Sequence, residues 1–96
     1  MYIKDCKTVK ELASFIKDYY DGSEQIKDIH IIQHDGEDIL RIVFSNDNCF
    51  MVTAFKEKDH LSYFLVILDK DGQILDKDTV TSQEIIMNIE KESETI

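Results

Sequence analysis

Three apolar runs between Asp38 and Asp69, DILRIVFSNDNCFMVTAFKEKDHLSYFLVILD, constrain the fold more than anything else in this chain. Each has strand length and is rich in β-branched and aromatic residues. The polar breaks between them, around Asn46–Asn48 and Lys56–His60, are too short for a crossover helix. Consecutive runs must therefore pair side by side and antiparallel. Alternation assigns Leu40, Ile42 and Phe44 to one side of the first strand, and Ile39, Arg41 and Val43 to the other. Phe50, Val52 and Ala54 oppose Cys49, Met51, Thr53 and Phe55 in the second. Leu61–Leu68 is apolar on both sides, as a central strand would be.

The flanks read as partners for this block. TVKELASFIKDYYDG carries a capping box, Thr8 with Glu11, which satisfies donors left open at a helix start. Val9, Leu12, Ala13, Ile16 and Tyr19 then fall on one helical face, with Phe15 and Tyr20 at its margins. Among these aromatics Tyr20 is the one expected to be exposed. Gly22 supplies a left-handed stop. Gln25–His34 reads as a strand with Ile29 and Ile31 opposite His30, Ile32 and His34. Asp35-Gly36 is the favoured pair for a tight hairpin turn. After the Asp69–Gly72 turn, Gln73–Asp76 is at most a short edge strand. A second capping box, Thr81 with Glu84, opens a helix in which Val80 can staple onto Ile85. Ile85, Ile86 and Ile89 form its apolar side, and Glu90–Ile96 reads as a frayed acidic tail. Met1–Lys7 is either an edge strand or an unstructured lead-in.

The expected architecture is one α+β domain spanning 1–96. It is an antiparallel four- to five-stranded meander flanked by an N-terminal and a C-terminal helix, in the order α-β-β-β-β-(β)-α. Strands that are apolar on both faces must be covered twice. Two helices suffice if they lie on opposite faces, which is the favoured reading. If both lie on one face, the other awaits a partner, which makes a homodimer or a docking surface.

Charge bounds the function. Twenty Asp and Glu against eleven Lys and Arg give a formal net charge of -9. The lysines are scattered singly among acids, so no basic patch exists for nucleic-acid phosphates or an anionic membrane. The charge favours basic protein partners and speeds encounter with them. The MYIKDCKTVKEL start lacks the apolar stretch of a signal peptide, no run reaches the ~20 residues of a membrane span, and two cysteines make no disulfide framework. A reducing, cytoplasmic setting is expected, with Cys49 buried and Cys6 near the surface.

Catalytic and metal chemistry find little support. DKDGQILDKD has the look of a calcium loop. With Gly72 at the sixth position, however, Ile67 occupies the first and no helix enters, so a charged turn is the better reading. His30 and His34 share a strand face but lie ~13 Å apart at strand rise, too far for one ion. No serine, threonine or cysteine comes with a glycine-rich elbow or a nearby histidine motif, and the three glycines read as turns. No enzyme, cofactor or metal is expected.

The topology places charge. In a meander, turns alternate between two ends. Asp18, Asp21, Glu24, Asp47, Asp69 and Asp71 fall at one end against Lys17 and Lys70, and a returning second helix adds Glu90, Glu92 and Glu94 against Lys91. At the other end Glu37, Asp38, Glu57 and Asp59 are diluted by Lys56, Lys58 and Lys77. The expected function is a non-enzymatic inhibitor, with those six carboxylates as its partner-binding residues. It would occupy the positive site of a basic protein, such as a nuclease or another nucleic-acid-binding protein. Immunity proteins of nuclease toxins and phage-encoded inhibitors of CRISPR nucleases fit this physical description. The alternative is a small homodimeric assembly protein using an apolar sheet face.

Overall fold

The computed structural model describes residues 6–58 and 60–94. Helix α1 (Val9–Tyr19) leads into five strands, β1 (Ile26–His34), β2 (Glu37–Phe44), β3 (Cys49–Glu57), β4 (His60–Leu68) and β5 (Ile74–Val80), and helix α2 (Ser82–Glu94) closes the chain. The strands form one antiparallel sheet in sequence order, β1 to β5. The meander flanked by two helices is thus observed, with the fifth strand fully formed and longer than Gln73–Asp76. Polar Asp76, Lys77 and Asp78 did not advertise a strand, but each pairs with an apolar residue of β4. Charges on such an edge oppose pairing with another chain.

Each turn follows its local chemistry. Asp35 (φ 51°) and Gly36 (φ 81°) both adopt left-handed backbone, the primed turn whose twist matches its strands. Lys56, Glu57 and His60 are strand rather than loop, because β3 and β4 stay paired as far as Glu57 and His60. Asp59, most of the Met1–Lys7 lead-in (Met1–Asp5) and the last two residues of the acidic tail lie outside the described residues. The tail through Glu94 is helix.

The helix starts are capped as the sequence implies, with one difference. At α2 the box is reciprocal: Glu84 N–H donates to Thr81 Oγ1 at 3.2 Å, and Thr81 N–H donates to Glu84 Oε1 at 3.1 Å. At α1, Glu11 N–H donates to Thr8 Oγ1, but the Glu11 carboxylate accepts from Lys7 N–H at 2.7 Å, one residue further upstream. Thr81→Ala, which removes one arm and leaves Glu84 N–H without its acceptor, is expected to cost about 1 kcal/mol. Urea denaturation measures it, and an unchanged midpoint would show that water replaces the cap.

Both helices lie on the same face of the sheet, which corrects the expectation of one on each. Val9, Leu12, Ala13 and Ile16 of α1 and Ile85 and Ile89 of α2 join Leu40, Ile42, Phe44, Phe50, Val52, Tyr63 and Leu65 in a single buried cluster. Strand register and alternation put all those strand residues on one side. Helix α1 covers β1–β3 and α2 covers β4 and β5. Two local causes steer them there. Val80, the last residue of β5, is buried on that side and only Thr81 separates it from α2, so the helix starts where its staple to Ile85 lies. The other side of the sheet is interrupted by His30, Arg41, Thr53 and Ser62, and would bury α1 less well. Cys6, expected near the surface, is 5% exposed and belongs to the same cluster.

Candidate functional site

The carboxylates singled out from the sequence do gather at one end of the sheet, because the meander returns there three times. Asp18 lies in the last turn of α1, and Asp21 and Glu24 in the connection to β1. Asp47 lies in the β2–β3 turn, and Asp69 and Asp71 in the β4–β5 turn. Helix α2 starts at the opposite end and runs back. Asn46 and Asn48 each donate Nδ2–H to Glu92 Oε1, at 3.2 and 2.9 Å, which fixes its C-terminal turns against the β2–β3 turn. Glu90 and Glu94 arrive with it. Both helices therefore direct their C-termini, the negative ends of their dipoles, toward this end.

The six residues are not equivalent. Lys27, which the sequence reading did not include, donates Nζ–H to Asp47 Oδ1 at 2.7 Å. That bond and charge, with Lys70 adding to them, hold the Asp47 carboxyl below the usual carboxylate range. Asp69 is engaged in its own turn, where its Oδ1 accepts from the N–H groups of Asp71 and Gln73, each at 2.9 Å. This Asx turn and Gly72 (φ 81°) build the DKDG turn. Asp18, Asp21, Glu24 and Asp71 are exposed. Among the described residues, nine carboxylates face Lys17, Lys27, Lys70 and Lys91 at this end. From β1 to β5 the end spans about 19 Å at ordinary strand spacing, or roughly two Debye lengths at physiological salt. It acts as a broad negative rim and not as a point site.

The opposite end is more mixed, and Lys77 does not belong to it: its pairing with Val66 puts it in mid-strand. A cavity of about 560 Å³ opens there, lined by Cys6, Lys7, Lys56, His60, Leu61, Tyr63 and Ser82. The Tyr63 hydroxyl is buried without a hydrogen-bond partner among the described residues, as is that of Tyr20. Sequence pattern marks neither, because a tyrosine at a core position reads like a phenylalanine. Tyr20 is half-buried and Tyr19 is 59% exposed, the reverse of the expected order.

The histidines are separate. His30 Nδ1 lies 2.7 Å from Asp28, His34 Nε2 3.4 Å from Asp35, and His60 Nε2 3.9 Å from Glu57. Among the described residues no group of three or more His, Cys, Asp or Glu is placed to hold a metal ion. No helix among them is long and apolar enough to cross a membrane. No protein family, curated protein or solved structure matches this chain.

Proposed function

We propose that this protein is a non-enzymatic binding module whose acidic end occupies the positively charged site of a protein that handles nucleic acid. The observation that carries the reading is the convergence of nine carboxylates and two helix C-termini on one end of the sheet. Separate elements supply these charges, and the hydrogen-bonded meander holds them together. A basic groove that accepts a phosphate backbone would be attracted to such a rim, and occupying it would exclude nucleic acid. The same charge keeps this chain off nucleic acid itself. Cys6 and Cys49 are both buried and not joined in a disulfide, which suits a cytoplasmic setting.

The test begins with affinity capture from host lysate at low salt and identification of the bound protein. Asp18→Lys, Asp21→Lys and Asp71→Lys together are then expected to weaken that complex ~100-fold, with affinity falling steeply as salt rises. These three are preferred to Asp47 and Asp69, whose side chains hold local structure. Nucleic acid should compete with this protein for the partner. Unchanged affinity in the triple variant, or binding indifferent to salt and to nucleic acid, would overturn the reading.

A further inference from the structure

The side of the sheet that neither α1 nor α2 covers carries its own pattern. Register places Val43, Cys49 and Leu68 in one row across it, and Arg41, Met51, Val66 and Lys77 in the next. Ile32, Ile39, Thr53, Phe64 and Thr79 follow, and then His34, Glu37, Phe55 and Ser62. Phe55 and Phe64 are each 39% exposed. Arg41 is half-buried near the middle of this surface, the one arginine of the chain, and it forms no ion pair with a described residue. Glu37 stands on the same side of the same strand, four residues and about 13 Å away, with Ile39 between them.

We propose that this face is the interface of a two-fold symmetric dimer, with a second copy of the chain as its occupant. Three observations select that occupant. Five strands of seven to nine residues give a flat footprint of about 600 Å² before side-chain relief is counted, against about 800 Å² per partner in a standard stable interface. The face is close to neutral, with Asp28, Glu37 and Glu57 against Arg41 and Lys77, so stacking two copies does not set acid on acid. Finally, the charge pattern is self-complementary. A two-fold axis crossing β2 at Ile39 sets each Arg41 over the partner subunit's Glu37, twice. It also brings each Ile39 and each Phe64 against its counterpart, at the centre of an aligned sheet-on-sheet packing. The acidic ends stay outside this contact, so the dimer is independent of the binding proposed for them.

Sedimentation equilibrium of the full chain over a range of concentrations tests this. The expected mass at micromolar concentration and above is twice the 11.2 kDa of one chain, and it should persist or tighten in high salt, which screens the net charge of each copy. Phe64→Glu should give a folded monomer, with circular dichroism as the check on folding. Arg41→Glu and Glu37→Arg should each weaken the dimer at least tenfold, and combining them should restore it, because the swap rebuilds both pairs. A monomer at every concentration would overturn the proposal and leave the face to a foreign partner. So would a double swap as weak as either single variant.

Discussion

Phe50→Ala is expected to remove about 3–5 kcal/mol of folding stability. The side chain is fully buried, and its ring meets that of Phe44 edge to face with centroids 4.8 Å apart. It lies on the covered side of β3, so truncation opens a cavity between the sheet and α1. A domain of this size has a total of roughly 5–15 kcal/mol, so one substitution consumes a large part of it. The melting temperature should fall by more than about 10 °C. Phe64→Ala on the uncovered face is the control, with an expected cost below about 1 kcal/mol in dilute solution where no second copy is bound. Urea denaturation of the two variants side by side decides the matter. Equal losses would mean that the two faces are equally buried, contrary to the helix placement.

Tyr63→Phe is expected to move stability the other way, by about 1 kcal/mol. The wild-type hydroxyl is buried with no acceptor or donor among the described residues, and phenylalanine keeps the ring without that desolvation penalty. The pH dependence follows. Burial, with Cys6 and Glu11 adding to it, pushes the Tyr63 phenol up to about 12, and burial with Glu90 and Tyr19 does the same for Tyr20. In the unfolded chain both ionise near the ordinary 10.0. Between those values the folded state holds more protons than the unfolded one, so stability is intact below pH 10 and falls as pH climbs toward 12. Denaturation midpoints measured from pH 8 to 11.5 should show this decline, smaller in Tyr63→Phe and smallest with Tyr20→Phe added. An alkaline decline identical in all three proteins would place the cause elsewhere.

Most of the fold was legible because the signals were local. The 2-residue alternation in Leu40–Phe44, Asp35-Gly36, and the pairs Thr8/Glu11 and Thr81/Glu84 each act over a few residues. What escaped depended on tertiary choices. Alternation shows that Ile39 and Val43 share a side of their strand, but not which side the helices take. That was decided by Val80 beside Thr81 and by the polar breaks at Arg41 and Thr53. Strand β5 is held by pairing with β4, and composition alone argues against it. The gathering of acids could be derived from turn order, since a meander fixes which turns meet. The pairing of Asp47 with Lys27 could not, because it spans 20 positions. Nor could the docking of Glu92 on Asn46 and Asn48. These contacts separate carboxylates that hold structure from those left to face solvent.

The order of the strands has a consequence for how the molecule comes into being. Among the described residues every strand hydrogen-bonds only to its neighbours in sequence. Each of the four hairpins can therefore close without waiting for a distant part of the chain. Short loops carry a small entropy of closure, and sheets built from them form faster than those that join remote segments. The chain contains no proline, so no prolyl bond must isomerise on the way. Nascent hairpins can zip outward from the β3–β4 pair, the longest register in the sheet, and α2 can be the last piece to seat. A protein assembled in this way spends little time with its apolar strands exposed, which matters for a chain whose strands are apolar on both sides.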